Sequence, residues 1–127
     1  MRKVIAIAAL GVLSCTRPAQ PSQHGQDFFA RELAGHVAQA PKTCINSYQS
    51  ENLRVIDSST IAYGSGRTIY VNKLPGSCPA MQELNTLQVM AQGSQYCRGD
   101  RIRGIEPGAI IPGPWCVLGD WTPYTMK

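Results

Sequence analysis

The sequence predicts a mainly β fold: a small antiparallel sheet or partly open barrel of about five to six short strands, with two disulfides and one short N-terminal helix. Three observations lead there. Glycine and proline are frequent, at 12 and 9 of 127 residues, and charged residues make up only 16%, a composition of many turns between short strands. Four cysteines, Cys44, Cys78, Cys97 and Cys116, are spread through the C-terminal two thirds without a C-x-x-C pair. Between them, short β-branched and aromatic runs alternate with Gly, Pro, Asn and Ser clusters. A chain of this length makes one small domain, which excludes two-domain enzymes and dinucleotide folds.

The N-terminus reads as an export signal over residues 1–14. Arg2 and Lys3 form a basic start and residues 4–13 are an unbroken apolar run, too short to span a bilayer as a mature helix. Val12-Leu13-Ser14-Cys15 has the form of a bacterial lipobox, which makes Cys15 the lipidated first residue of the mature chain. The alternative is ordinary signal-peptidase cleavage, with Val12 and Ser14 at the small-residue positions and Cys15 unmodified. The lipidated reading also gives the odd fifth cysteine a role. Either route leads out of the cytoplasm, and the lipid route to a periplasmic, membrane-anchored protein.

Residues 15–25, rich in Pro, Gln and Ser, predict a disordered tether. Residues 26–43 form the leading segment, in which Phe29, Leu33 and Val37 recur at helical spacing over residues 27–40 and Pro41 ends the run. Residues 44–124 form the disulfide-stapled β domain. Strands are expected at residues 53–57, 60–63 and 67–74, the last two joined by Gly64-Ser65-Gly66 into a hairpin. Pro75-Gly76 suits a type II turn, and Pro79 suits the start of a short helix through Leu84. Leu87, Val89 and Ala91 alternate with polar positions in a strand that Gly93-Ser94 turns back into residues 96–106, with Gly104 as a bulge. Residues 106–114 are a Pro/Gly loop and residues 115–124 a last strand with an irregular end.

In an oxidising compartment four such cysteines form two disulfides. Three pairings are possible. Cys44 with Cys116 and Cys78 with Cys97 is the expected one, closing the domain end to end and tying one strand pair.

Leu74-Pro75-Gly76-Ser77-Cys78-Pro79, Tyr96-Cys97-Arg98-Gly99-Asp100 and Cys116-Val117-Leu118-Gly119-Asp120, behind a lipobox-like signal, resemble the bacterial domain of unknown function 6491 family over roughly residues 44–122. Cys116 is followed by Val117 where that pattern would have proline, which places the chain with a sister group. The resemblance implies a small exported protein with paired cysteines, and no activity.

Charge and residue chemistry exclude several function classes. Without Arg2 and Lys3 the mature chain holds ten basic and eight acidic residues, and residues 44–124 hold six of each. Nucleic-acid binding by counterion release needs a basic stripe. The nearest thing to one is Arg98, Arg101 and Arg103, interrupted by Asp100, which reads as a solvated strand face with an internal ion pair. His24 and His36 lie outside the cysteine-bounded core, so a Ser or Cys nucleophile there has no histidine base, and a His-bearing metal site has no ligand. Asp57, Asp100, Glu106 and Asp120 read as turn residues. The expectation is therefore no catalytic set, no metal and no cofactor. What remains is a small binding or structural module of the cell envelope whose protein or glycan partner is not named by the sequence, or, alternatively, an inhibitor of an extracellular lysozyme or protease. The candidate surface is Ile110, Ile111, Trp115 and Trp121, around the 106–114 loop. The tyrosines and tryptophans otherwise serve as core packing.

Overall fold

The structure, a computed structural model, describes residues 23–47 and 53–127. The export signal, Cys15 and most of the tether lie outside the described residues. Helix α1 (Gln23–Arg31) is followed by β1 (His36–Ala38), β2 (Cys44–Asn46), β3 (Leu53–Asp57), β4 (Thr60–Tyr63), β5 (Thr68–Lys73), β6 (Thr86–Met90), β7 (Gln95–Cys97), β8 (Arg101–Ile105), β9 (Cys116–Val117) and β10 (Trp121–Met126). The fold is mainly β with antiparallel pairing, as the sequence predicts, and the sheets do not close into a barrel.

A five-stranded sheet in the order β1-β10-β5-β4-β3 forms the centre. Its β3, β4 and β5 lie at the predicted positions, and Gly64 and Gly66 supply the positive φ that the β4–β5 connection requires. Alternation along the strands sends side chains to two cores. Ile61 and Tyr63 of β4 face one cluster with Ile45, Ile102, Leu118 and Trp121, while Ala62 faces a second with Phe28, Leu33, Ile69 and Val71. One face of the central sheet thus carries α1 and the turn after it. The other carries the β2–β7 ribbon and the β6-β8-β9 sheet.

Several local expectations are overturned, each for a physical reason. The helix expected over residues 27–40 runs instead from Gln23, within the stretch expected to be a disordered tether, to Arg31. Gly35, at φ 77°, turns the chain, and residues 36–38 become β1, trading helical hydrogen bonds for ladder bonds to the edge of β10. Leu33 still reaches the core, from the turn and not from a helix. Residues 79–84 form turns and no helix. Their backbone bonds, Met81 N–H to the Cys78 carbonyl and Asn85 N–H to the Gln82 carbonyl, each span three residues and do not propagate. The strand expected over residues 96–106 is cut at Arg98–Asp100, where Gly99 takes φ 89° and the Asp100 carboxylate accepts from the Cys97 N–H at 2.8 Å. As a result β6 does not pair with β7: β6 takes β8 as partner and β7 takes β2. The last strand divides likewise into β9 and β10.

Gly104 makes no bulge, since β6 and β8 keep register from Thr86↔Ile105 to Met90↔Arg101. The register shift lies instead in β3–β4, between Val55 and Asp57. Gly104 is needed because a Cβ there would lie 2.0 Å from the Ala80 carbonyl oxygen.

Both disulfides form, not in the expected pairing of Cys44 with Cys116 and Cys78 with Cys97 but as Cys44–Cys97 and Cys78–Cys116. Cys44 and Cys97 are opposite one another in the β2–β7 register, with Cα atoms 4.1 Å apart, so that the bridge joins the two strands directly across the ladder. Cys78 follows the β5 turn and meets the start of β9, so the bridge pins the 74–81 segment to the three-stranded sheet.

Candidate binding surface

The β8–β9 pair builds the surface. Ile102 is fully buried, so period-two alternation sends Arg101 and Arg103 to the opposite, solvent face. The register Arg101↔Val117 and Ile102↔Cys116 puts Trp115 one step further along, beside Arg103. The Arg103 guanidinium carbon stands 4.3 Å from the Trp115 ring centroid and that of Arg101 stands 5.9 Å away, both within cation–π range. Arg103 Nε also donates to Gln88 Oε1 on β6 at 2.8 Å. Among the described residues neither Arg101 nor Arg103 has a carboxylate within ion-pair distance. The pairs present are Arg98–Asp120 at 3.6 Å, His24–Glu83 at 2.9 Å and Arg54–Glu32. Asp100 is not the internal ion-pair partner that the sequence suggested, because its carboxylate caps the Cys97 N–H.

At the foot of this face the chain leaves β8 into the 106–114 loop. The Gly113 N–H donates to the Gly104 carbonyl at 3.0 Å, and the Ala109 N–H donates to the Glu106 carbonyl at 3.0 Å. Two glycines hold the foot against residue 80: the Cβ absent from Gly104 would strike the Ala80 carbonyl, and one on Gly113 would lie 2.8 Å from the Ala80 Cβ. Asn85 Nδ2 donates to that same carbonyl at 2.9 Å. A shallow cleft of about 320 Å³ separates residues 79–85 from the loop, with Gln82 and Asn85 on one wall and Ile111 on the other.

Ile110 and Ile111 are 97% and 83% exposed, and Leu84, next to the cleft residue Asn85 but on the groove shared with His24, Glu32 and Arg54, is 82% exposed. Trp115 is partly exposed at the loop's exit. Trp121 is the exception among the four predicted surface residues. It is 0% exposed, at the centre of the larger core, because its register partner on β5 is the buried Asn72. The candidate surface is therefore Ile110, Ile111 and Trp115, enlarged by Arg101, Arg103 and Leu84. Leu84 is not marked by the sequence, where Pro79 and the residues through Leu84 pattern as a short helix.

Of the acids read as turn residues, Asp57 accepts from the Ser59 N–H at 2.9 Å and Asp100 from the Cys97 N–H, while Asp120 pairs with Arg98. Tyr63 is buried and meets Tyr96 edge-on at 5.7 Å between centroids. A second cleft, of about 520 Å³, opens beside the Cys44–Cys97 bridge and carries Lys42, Asn46, Arg67, Tyr70 and Gln95. Nothing in the sequence marked it, because its walls come from β2, β5 and β7.

No protein-family model matches the chain, and neither a curated protein nor a solved structure matches it. The two disulfides belong to an oxidising environment. Among the described residues no helix is long and apolar enough to cross a membrane.

Proposed function

We propose that this chain is an exported, lipid-anchored envelope protein, tethered through Cys15, that acts by binding and not by turnover. The binding element is the 106–114 loop with Trp115. The observation that carries the reading is the pair of adjacent isoleucines held almost wholly in water by a loop whose foot is closed by a hydrogen bond and packed against Ala80. Apolar side chains so placed contribute nothing to the core. Three prolines and two glycines in residues 106–114 pre-set the backbone, which lowers the ordering cost of association. The same projecting loop supports the second reading, insertion into the active-site cleft of an extracellular hydrolase.

The test is Ile110→Asp with Ile111→Asp. The double variant is expected to keep its melting temperature, since neither side chain is buried, and to lose the envelope partner recovered with the wild type. A variant that stays folded and retains every partner removes the loop from the proposal. Recovery of a single hydrolase, with loss of its inhibition in the variant, favours the inhibitor reading.

A further inference from the structure

We infer that the loop end of the domain is a membrane-docking surface that seats Ile110, Ile111 and Leu84 in the interfacial layer of a bilayer bearing anionic phospholipid, with Arg101, Arg103 and Trp115 at headgroup level. The inference rests on the reading that this surface binds, and it names the partner as the membrane itself.

Three independent features converge on this end. The first is apolar. Ile110, Ile111 and Leu84 are the three most exposed of the large hydrophobic side chains among the described residues, and the antiparallel register Thr86↔Ile105 puts the entry to β6, two residues after Leu84, at the same end of the sheet as the exit of β8 into the loop.

The second is electrostatic. Arg101 and Arg103 lie on the strand that leads into the loop, without a carboxylate in ion-pair distance, and they flank a partly exposed indole. Glu106 is the one acid in residues 106–114. Aliphatic tips with arginine and tryptophan one step behind match the layering of a bilayer interface. There apolar groups sink about 5–10 Å, indole rings settle at the headgroups, and cations meet phosphate.

The third is the direction of the chain. His24, in the first turn of α1, contacts Glu83 at 2.9 Å, and Glu83 is the neighbour of Leu84. The chain therefore enters the described domain at this same end. Cys15 is eight residues before Gln23, a span of at most about 25–30 Å. A lipid on Cys15 would hold the Leu84 end close to the bilayer and raise the effective concentration of the loop there.

The experiment uses the unlipidated chain from residue 16 onward, which retains every described residue, so that association cannot come from the anchor. It is sedimented with vesicles of phosphatidylglycerol and phosphatidylcholine, and with vesicles of phosphatidylcholine alone. The wild type is expected to co-sediment with the anionic vesicles and to release as salt rises. Ile110→Asp with Ile111→Asp should weaken partitioning more than about tenfold. Arg101→Gln with Arg103→Gln should weaken it about fivefold per arginine.

A second readout does not depend on either variant. The chain has two tryptophans and Trp121 is buried, so a blue shift on vesicle addition, and quenching by brominated lipid, should come from Trp115 and vanish in Trp115→Phe. Absence of wild-type sedimentation with anionic vesicles, or sedimentation unchanged in the isoleucine variant, overturns the inference. If the isoleucine variant loses an envelope protein but the wild type ignores vesicles, this inference fails while the binding proposal stands. Loss of vesicle binding with every protein partner retained identifies the bilayer as the partner.

Discussion

Asn72 offers a perturbation whose size depends on pH. Its side chain is fully buried on β5 and brackets the backbone of Gly119: Nδ2 donates to the Gly119 carbonyl at 2.8 Å, and the Gly119 N–H donates to Oδ1 at 2.9 Å. Asn72→Asp keeps the acceptor but replaces the donor with an oxygen facing the Gly119 carbonyl. Ionised, that oxygen is repelled and desolvated. Protonated, its O–H donates to the same carbonyl and restores the pattern. The introduced carboxyl is therefore driven to the neutral form, with a folded pKa raised above the unfolded value of about 3.9, by up to about 3–5 units for full burial.

Between the unfolded and folded pKa values the native state then binds more protons than the unfolded state. Stability relative to wild type falls by about 1.4 kcal/mol per pH unit as pH rises from about 4. At pH 4 the variant should lie within about 1 kcal/mol of wild type, and at pH 7 about 4 kcal/mol below it. Asn72→Ala, which orphans both Gly119 groups, should cost about 2–4 kcal/mol at either pH. Urea denaturation of the three oxidised proteins across pH 4–7 supplies the differences. A constant gap between Asn72→Asp and wild type across that range would refute the reasoning.

Gly104→Ala should destabilise the domain by about 2–3 kcal/mol, because its Cβ meets the Ala80 backbone. Gly76 has no positive φ, so Pro75-Gly76 does not make the type II turn that the sequence suggests, and Gly76→Ala, with nothing within 4 Å, should be within about 0.5 kcal/mol of wild type by thermal melting. Non-reducing peptide mapping should recover Cys44 with Cys97 and Cys78 with Cys116. Opening the second bridge with Cys78→Ser should cost about 2–5 kcal/mol, and recovery of a Cys44–Cys116 peptide would contradict the fold. Metabolic labelling with a palmitate analogue should mark the wild type and spare Cys15→Ser. Equal labelling, or none in either, would remove the lipid anchor.

The features legible from sequence were those set by neighbours along the chain. The β3, β4 and β5 runs stand where period-two patterning and Gly64-Ser65-Gly66 predict them, because strand alternation and turn conformation are local properties. The 106–114 loop was legible for the same reason: its prolines and glycines exclude a ladder, and its isoleucines had no alternating partner to bury them. That the chain carries two disulfides and is mainly β also followed from composition and cysteine spacing alone.

What only the tertiary structure decided were relations between segments distant in sequence. Leu33 and Val37 continue a helical spacing, yet residues 36–38 join β10, whose open edge is brought there by residues 121–126. Cysteine spacing cannot choose among three pairings; the choice follows from β2 lying beside β7 and Cys78 beside β9. The tryptophans show the same division within one short segment. Trp115 and Trp121 are alike by composition and by sequence neighbourhood, but Trp115 stands beside Arg103 on a solvent face while Trp121 stands opposite Asn72 in the core. Strand register assigns each side chain to a face. Register is set by long-range pairing, whose loop-closure entropy is offset only when the whole sheet and both bridges form together.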